Sequence, residues 1–385
     1  MKKIGLCVCY NTKNYGSQLQ VLATQLKVQA LGYDYEIIRY KKKYDLKMVL
    51  KSAPRVFNPW LVRGKLTTLR KKRQLRKYPE IRRKCSKRSR LFGGFIDRFF
   101  DRLSPVYTGY EELKKGTLNY DGFLVGSDQL WLPSGLASGF YTLEFVPGQK
   151  TKIAYATSFG VGRIPSWQKN RTAAYLKRFD FLSTRELRGA EIIRELTGKG
   201  VQVVADPTLL LTREEWLDVI PEKKITESPY IFCYFLGTNK EHRDIARELK
   251  EKTGMPVVTT PFLDNFVKED LEFGDRQLFD VAPDDFVNLI RGAEYVLTDS
   301  FHGSVFSILH HKQFVTFNRF SGASGNSRNS RIDSLCGLLG LEKRRYHQDI
   351  LQEAAARIDY ETVEEKLTAL RRESADYLAR SLKHV

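Results

Sequence analysis

The stretch Asp299-Ser300-Phe301-His302-Gly303 follows an apolar run at 293–297 and precedes a short helical pattern at 305–309. This order predicts a strand, a tight turn and a helix, with the polar residues held where the strand ends. Open α/β sheets bind their ligands at the carboxyl ends of their strands. We therefore expect an α/β fold that carries a functional site at these five residues.

The same stretch has the chemistry of a site for an anion. Gly303 allows a sharp turn, and the free N–H groups near Gly303 and Ser304 at the helix start would point at a bound anion. His302 can give or take a proton near neutral pH. A second interpretation stays open, in which Asp299 or Ser300 only caps the helix and His302 is a structural histidine.

The bulk composition is that of a folded protein with two domains. The chain has 385 residues, more than one ordinary hydrophobic core accommodates, so its length predicts two domains. Hydrophobic residues make up 42% and charged residues 28% of the chain, and these ordinary values exclude overall disorder. No apolar run reaches the length of a membrane span, and the first one, at 4–10, lacks the cleavage site of a signal peptide.

The five cysteines are odd in number and scattered along the chain. We interpret them as reduced core residues of a cytoplasmic protein, because structural disulfides belong to oxidising compartments. Cys7 and Cys9 form only a C-x-C pattern, and no histidine pair has the spacing of metal ligands. A metal site is therefore not expected.

The net charge of +19 is concentrated in one segment. Residues 41–90 contain 20 Lys and Arg against two acidic residues, so the rest of the chain is close to neutral. Such a block favours an anionic surface such as lipid headgroups, a diphosphate carrier or nucleic acid. Aromatic residues are few in the block and no nucleic-acid-binding signature is present, so we expect a membrane surface and no nucleic acid. A solvated insertion without a partner is the alternative.

Alternating strand and helix patterns divide the chain into two α/β halves. Residues 1–225 predict an N-terminal domain, within which residues 41–103 predict a basic, helical insertion. The alternation starts again over 226–360, and 361–385 predicts a final amphipathic helix. A polar segment at 221–229 predicts the linker between the domains.

Several short segments with polar residues follow one another along the chain. They are Asn14-Tyr15-Gly16 with Gln18 and Gln20, Gly126-Ser127-Asp128-Gln129 with Trp131, the run from Ala154 to Gly160, Ser183-Thr184-Arg185-Glu186, Asp206-Pro207-Thr208, the run from Thr298 to Gly303, and Asn326-Ser327-Arg328 through Arg331-Ile332. In this order they resemble the polysaccharide pyruvyl transferase family. The resemblance covers most of the chain except the basic block and the last helix, and Thr184 stands where a small aliphatic residue is more usual.

The resemblance implies two Rossmann-like domains that face each other across a cleft, as in GT-B glycosyltransferases. It also implies transfer of a pyruvyl group from phosphoenolpyruvate to two hydroxyls of one sugar, in a cell-surface polysaccharide or its lipid-linked precursor. The products are a pyruvate ketal and phosphate, and no cofactor or metal is required besides the donor substrate. For a lipid-linked acceptor we expect a cytoplasmic enzyme that is peripheral at the inner face of the membrane.

This chemistry requires a proton donor and a proton acceptor, and we expect His302 and Asp128 to be these catalytic residues. A turn or cap role is the alternative for Asp128. The small, highly charged donor needs a helix start and arginines that bind carboxylate or phosphate through two N–H groups. The candidate donor-binding residues are Arg185, Ser300, Gly303, Ser304, Arg328 and Arg331. The candidate acceptor-binding residues are Asn14, Tyr15, Gly16, Gln18, Ser127 and Gln129.

Two roles near these candidates also follow from the sequence. Glu186 is expected to orient Arg185 rather than to react. The Gly/Ser/Asn-rich loop at 321–330, with its arginine, is expected to close over an anionic ligand, and a plain flexible loop is the alternative.

Two other functions stay open. A glycosyltransferase of the same two-domain architecture would use a nucleotide-sugar, because a fold alone does not choose a donor. A non-enzymatic protein would bind an anionic polymer through 41–90. Release of phosphate from phosphoenolpyruvate distinguishes the first hypothesis from both.

Overall fold

The structure is a computed structural model that describes residues 1–43, 76–136, 139–226, 229–261, 267–319, 329–347 and 350–385. Within these residues the chain forms two parallel β-sheets. The strands of the first sheet are β1 (Lys3–Cys7), β2 (Asp34–Lys41), β3 (Leu103–Thr108), β4 (Gly122–Val125), β5 (Thr151–Thr157), β6 (Phe181–Thr184) and β7 (Gln202–Val203). They lie in the order β3-β2-β1-β4-β5-β6-β7, and every neighbouring pair is parallel. We call the part of the chain around this sheet the first unit.

The second sheet has the same construction with fewer strands. Its strands are β8 (Ile231–Tyr234), β9 (Val257–Thr259), β10 (Arg276–Gln277), β11 (Tyr295–Thr298) and β12 (Gln313–Thr316), in the order β10-β9-β8-β11-β12. The four residues of β8 are all buried, as expected for a parallel strand with helices on both faces. We call the part of the chain around this sheet the second unit.

In each sheet the chain reverses its direction of progress once across the strand order. In the first sheet β1 is flanked by β2 on one side and by β4 on the other, and in the second β8 is flanked by β9 and β11. Such a reversal leaves a crevice outside the carboxyl ends of the strands, where ligands bind. The loops that follow β1, β4, β8 and β11 are therefore placed to form the site.

Helices connect the strands, and two of them begin at the crevices. The helices are α1 (Tyr15–Ala30), α2 (Pro79–Phe99), α3 (Gly109–Gly116), α4 (Lys169–Lys177), α5 (Leu187–Thr197), α6 (Pro207–Leu210), α7 (Arg213–Val219), α8 (Lys240–Thr253), α9 (Pro283–Gly292), α10 (Phe301–Leu309), α11 (Ser330–Leu339), α12 (Ile350–Ala355) and α13 (Tyr360–Lys383). Asn14 caps α1 by accepting from the Ser17 N–H at 3.1 Å, and Ser300 caps α10 by accepting from the Gly303 N–H at 3.3 Å. Over the described ranges, no helix is long and apolar enough to cross a membrane.

The predicted basic insertion is only partly described, since residues 44–75 lie outside the described residues. Its last part is the crossover helix α2, which parallel strands such as β2 and β3 require between them. Phe92 and Phe95 of α2 are buried in the core, and the buried Arg88 donates to the Lys13 carbonyl at 2.8 Å. Residues 76–103, which we predicted as part of the insertion, therefore belong to the regular fold.

The final helix, α13, touches both units. Near its start the Tyr360 hydroxyl donates to the carbonyl of Ser307, at 3.4 Å, in the second unit. Further along, the Ser374 hydroxyl oxygen accepts from the Ala205 N–H at 2.8 Å in the first unit. The predicted helix at 361–385 thus runs from the second unit back onto the first sheet.

Candidate active site

A cavity of about 270 Å³ lies where the carboxyl ends of the two sheets meet. The first unit lines it with Cys9, Asn14, Asp128, Gln129, Leu130, Leu132, Gly135 and Tyr141. The second unit lines it with Leu236, Asp299, Ser300, Phe301, His302, Arg319 and Arg331. The stretch at 299–302 therefore meets the loops after β1 and β4, as the strand-end rule predicts. We call this space the central cavity.

His302 projects from the first turn of α10 and lies against the first unit. Its Nε2 atom is 3.6 Å from Oδ1 of Asp206, and the residue is 7% exposed. The ring also packs on Gly16 in the first turn of α1, where an added Cβ would stand 1.9 Å from Nδ1. Only glycine at position 16 leaves room for the imidazole at this contact.

Asp206 is the carboxylate that faces His302, and the protein surrounds it with donors. Oδ1 accepts from the Thr208 N–H at 3.1 Å and from the Thr208 hydroxyl at 2.7 Å. Oδ2 accepts from Arg185 at 2.6 Å and from the Ser127 hydroxyl at 2.9 Å. Burial acts to raise the pKa of Asp206, but His302, Arg185 and the hydrogen bonds outweigh it and hold that pKa far below its usual range. Asp206 is therefore ionised at neutral pH.

Asp128 lines the central cavity at the end of β4. Its Oδ2 accepts from the Ser17 hydroxyl at 2.6 Å, and Oδ1 accepts from Arg185 at 3.1 Å and from the Gln129 N–H at 2.8 Å. Burial acts to raise the pKa of Asp128, yet the charges of Arg185 and His302 outweigh it, so that pKa lies below its usual value. The bond to Gln129 matches the turn role left open above, while the position on the cavity suits a proton acceptor.

Arg185 does not line the central cavity. It is 3% exposed, and its two terminal nitrogens donate to the carboxylates of Asp206 and Asp128. The guanidinium carbon lies 4.5 Å from the centre of the Phe301 ring. The guanidinium group that we expected to bind the donor thus faces two carboxylates of the protein, and Arg185 instead fixes the positions of these carboxylates.

Glu186 has a different role from the one expected. It accepts from the Ser158 hydroxyl at 2.8 Å and from the Phe159 N–H at 3.2 Å. It therefore braces the loop after β5 rather than orienting Arg185 through a hydrogen bond. Burial raises the pKa of Glu186 above its usual value.

The cations that face the cavity are Arg331 and Arg319. With its amide oxygen turned toward Arg331, Gln129 accepts from Nη2 at 2.6 Å. Burial and the charge of Arg185 lower the pKa of Arg331 to about 10, so it is still protonated at neutral pH. Arg328, the other predicted arginine of this loop, lies outside the described residues, as do 320–327.

At the start of α10, fewer of the residues predicted to bind an anion face the cavity than expected. Ser300 lines the cavity, but its hydroxyl oxygen accepts the Gly303 N–H. Gly303 packs so closely on Thr298 that an added Cβ would be 2.6 Å from Oγ1. Ser304 is fully buried and donates to the Thr316 hydroxyl at 2.9 Å. Gly303 and Ser304 therefore support the turn from behind, because the helix turns them away from the cavity.

Some of the predicted acceptor-binding residues line the cavity, and the others are buried behind it. Asn14 and Gln129 line the cavity. Tyr15 is fully buried and its ring stacks on Phe286 at 4.7 Å, so it joins the two units instead.

The remaining acceptor candidates also lie behind the cavity wall. Gln18 is 1% exposed and donates to the Tyr10 carbonyl at 3.4 Å. Ser127 is fully buried and its hydroxyl contacts the Ala156 carbonyl at 2.7 Å as well as Asp206. Gly16 makes room for His302. These residues support the wall of the cavity, but none of them presents a polar group to it.

Several site residues were missed from the sequence. Asp206 was named in the segment Asp206-Pro207-Thr208 but was given no role, although it follows β7 at the same sheet edge as Asp128. Arg319 follows β12, so the strand-end rule could have found it. Ser17, which holds Asp128, and Tyr141, on a long loop, gave no such signal.

Asp299 binds the loop that follows β8 instead of capping α10. Its carboxylate accepts from the N–H groups of Leu236, at 2.6 Å, and Gly237, at 2.8 Å. Burial raises the pKa of Asp299 despite these bonds. Within the described parts of the chain, no three His, Cys, Asp or Glu side chains are grouped to hold a metal ion.

Comparison with known proteins adds the family and the fold. The sequence model described as "Polysaccharide pyruvyl transferase" matches residues 14–321. A search of curated protein sequences found no match. Among solved structures, UDP-GlcNAc 2-epimerase from Methanocaldococcus jannaschii, in complex with UDP-GlcNAc and UDP, is 12% identical with a TM-score of 0.53, over 100% of both chains. The S. aureus MnaA–UDP structure is 13% identical with a TM-score of 0.53, over 100% of this chain and 98% of that one. At such identity the likeness concerns the fold alone, and it confirms the predicted architecture of two Rossmann-like domains of GT-B type.

Proposed function

This chain belongs to the polysaccharide pyruvyl transferase family, and from that premise we propose that it moves a pyruvyl group from phosphoenolpyruvate to two hydroxyls of one sugar. The acceptor is a sugar of a cell-surface polysaccharide or of its lipid-linked precursor, and the product is a pyruvate ketal. The observation that carries this proposal is the central cavity. It brings a histidine, an ionised carboxylate and two arginines to one small volume between the two sheets.

The donor lies on the side of the cavity formed by the second unit. Phosphoenolpyruvate has a phosphate and a carboxylate, and Arg331 and Arg319 are the cations on the cavity wall that suit them. The first N–H groups of α10, at Phe301 and His302, have no acceptor one helical turn earlier and add partial positive charge. The acceptor sugar enters from the side of Asn14 and Asp128.

The first chemical step joins one hydroxyl to the donor. His302 gives its proton to the methylene carbon of phosphoenolpyruvate, which leaves the adjacent C2 electron-deficient. The sugar oxygen bonds to C2 and passes its proton to Asp128. The lowered pKa of Asp128 makes it a weak base, but a hydroxyl that has already bonded to C2 is acidic enough for a carboxylate to deprotonate.

The second step closes the ketal. The bond from C2 to the phosphate oxygen breaks, and phosphate leaves with the electron pair and takes the proton held by Asp128. The second hydroxyl bonds to C2 and returns a proton to His302. The proton of the second hydroxyl therefore replaces the one that His302 gave to the new methyl group, and the proton of the first hydroxyl leaves with phosphate.

The full chain tests this proposal when it is incubated with phosphoenolpyruvate and a panel of sugars and lipid-linked sugars. We expect phosphate release that depends on the sugar, and a ketal methyl signal by NMR. Calorimetry with phosphoenolpyruvate alone tests the donor site independently of the acceptor. If phosphoenolpyruvate does not bind while UDP-GlcNAc is consumed, the nucleotide-sugar hypothesis replaces this one.

We also propose that residues 41–90 bring the enzyme to an anionic membrane surface. In the described part of this block, Arg82, Arg83 and Arg90 are exposed on α2. Each such cation contributes about 1 kcal/mol near anionic lipid, and salt weakens the contact. Cosedimentation with anionic but not neutral vesicles, reversed by salt, is expected. If the protein ignores anionic vesicles at low salt, the block has another role.

A further inference from the structure

Arg331 lines the central cavity, and in the part of the chain that the structure describes no carboxylate forms an ion pair with it. Asp128 and Glu186 are close enough to act on Arg331 through their charge, but they do not bind it. Arg185 differs, because its terminal nitrogens donate to Asp206 and Asp128. The guanidinium of Arg331 is therefore the one of these two that can bind an anionic ligand in the cavity.

The side chain that holds Arg331 is the neutral amide of Gln129. A guanidinium carries only N–H donors, so the amide must turn its oxygen toward it, and Nη2 then donates to that oxygen at 2.6 Å. The guanidinium also packs on the ring of Phe301, with its carbon 5.8 Å from the ring centre. An uncharged acceptor thus fixes the guanidinium without cancelling its charge.

Gln129 is itself held by the loops that follow β4 and β5. Its backbone N–H donates to Oδ1 of Asp128 at 2.8 Å, and the carbonyl of Asp128 accepts from the Ser158 N–H at 3.0 Å. The side chain of Gln129 packs on Gly160, where an added Cβ would stand 2.9 Å from the amide carbon. The amide is therefore fixed by the protein before a ligand binds, as a precise site requires.

We propose that Gln129 is a positioning residue that orients Arg331 toward the anionic donor, and that its side chain must be uncharged to do so. This inference rests on the proposed function, in which Arg331 binds phosphoenolpyruvate. It gives Gln129 a role at the donor instead of the predicted role at the acceptor. The consecutive residues Asp128 and Gln129 then place the proton acceptor and the donor-binding cation from one loop.

Two variants at position 129 separate the charge of the side chain from its hydrogen bond. Gln129→Glu should raise the Kd of phosphoenolpyruvate by about tenfold or more, because a carboxylate would pair with Arg331 and repel the donor. Gln129→Ala should raise it by about two- to tenfold, since Arg331 must then be ordered when the donor binds. Calorimetry measures both. Asn14→Asp adds the same charge on the acceptor side of the cavity, and it should raise the Kd less than Gln129→Glu does.

A double-mutant cycle tests whether Gln129 acts through Arg331. In Arg331→Ala the donor already binds more weakly, and adding Gln129→Ala should not change the Kd further. If Gln129→Ala weakens donor binding by the same factor with and without Arg331, Gln129 contacts the donor itself and the inference is wrong. It is also wrong if Gln129→Ala raises the KM of the acceptor sugar and leaves the Kd of phosphoenolpyruvate unchanged.

A substitution at Gly160 moves the amide and leaves residue 129 intact. Gly160→Ala pushes the amide of Gln129 and should raise the Kd of phosphoenolpyruvate. Gly198→Ala is the matched control, because Gly198 also has a positive φ, +74° against +60°, but an added Cβ would meet nothing within 4 Å. The control should bind the donor as the wild type does. Equal donor binding in both variants contradicts the inference.

The Nε–H signal of Arg331 in NMR spectra gives a readout that needs no donor. It is identified by its loss in Arg331→Lys, and it should shift in Gln129→Ala and Gly160→Ala but not in Gly198→Ala. An unshifted signal in the first two variants overturns the inference. A shifted signal in a protein that binds no phosphoenolpyruvate overturns the proposed function and supports the contact between Gln129 and Arg331.

Discussion

Each unit of this protein buries an arginine–aspartate pair, and the two pairs are built differently. In the second unit Arg243 donates to Asp270 at 2.9 Å and to the carbonyls of Asn239 and Gly237 at 2.8 and 3.2 Å. Its charge is balanced by one carboxylate, and all of its terminal nitrogens have acceptors. In the first unit Arg185 is shared by two carboxylates, while its Nε atom has no partner among the described residues.

The difference indicates which pair is structural and which is functional. A buried pair with matched charge and complete hydrogen bonds stabilises its surroundings only if both partners remain. In the Arg185 group two carboxylates bind one guanidinium, both have lowered pKa values, and the Nε atom of Arg185 has no partner among the described residues. Clusters of such perturbed groups are typical of functional sites. Both pairs are buried, so burial does not distinguish them. The number of carboxylates that bind each arginine does.

The largest effect is expected from replacing His302, which faces Asp206 of the first-unit pair. His302→Ala should lower kcat by roughly 10²–10⁴-fold, since this is the usual contribution of a positioned proton donor. The fold should persist, because His302 lies at the cavity wall. Phosphate release and circular dichroism check both statements. His310→Ala, at a buried histidine of the second unit away from the cavity, is the control, and near-normal turnover in His302→Ala would remove the residue from the mechanism.

Replacing each arginine by lysine compares the two pairs directly. A single ammonium cannot make the paired bonds of a guanidinium, although it keeps the charge. Arg185→Lys and Arg243→Lys should therefore each lower the free energy of unfolding by at most about 5 kcal/mol. Only Arg185→Lys should also lower kcat, because it releases Asp206 and Asp128. Urea titration and turnover are the measurements. Equal kcat losses in both variants would contradict the distinction drawn between the pairs. The dissociation constant of phosphoenolpyruvate, by calorimetry, tests whether Arg185 affects donor binding as the sequence predicted.

The pH dependence of stability should report the ionised carboxylates of the first unit. The pKa of Asp206 is lowered in the folded state, so its contribution is present above the unfolded value of about 3.9 and is lost as pH falls through the folded pKa. Asp206→Asn should therefore be less stable than the wild type at pH 7, by about 1–3 kcal/mol, with a smaller difference at pH 3. Urea titrations at both pH values measure this. A constant difference would show that Asp206 stabilises the fold by packing rather than by charge.

The smallest effect is expected at the exposed ion pairs between the units. Lys87 pairs with Asp280, and Arg98 pairs with Asp284 at 2.9 Å. The second pair has the same composition as the buried pairs but different surroundings. Arg98→Ala should cost about 1 kcal/mol or less, and salt should weaken even that. Thermal unfolding at low and high salt checks it. A loss of several kcal/mol would mean that contact between the units depends on these surface charges.

The sequence predicted the two sheets and the loops of the site, because strands, helix starts and polar strand ends leave local patterns. It predicted less well which side chains reach the cavity. Asn14 and Tyr15 are neighbours, yet one lines the cavity and the other stacks in the core, because Asn14 is the extended cap before α1 and Tyr15 is the first residue of the helix. Asp206 and His302 are far apart in sequence, and their contact depends on how the two units pack. No local pattern contains that information.

The path of α13 has a consequence for how the protein is made. The strands of the first sheet leave the ribosome early, but part of their cover, including the Ser374 hydroxyl that binds Ala205, is synthesised after the whole second unit. The side chain of Val385 even packs against Gly122 of β4, where an added Cβ would stand 2.7 Å from it. The cover of the first sheet is therefore completed only when residues 360–385 have been synthesised, and a nascent chain stalled before residue 360 would expose that part of the sheet to chaperones and proteases.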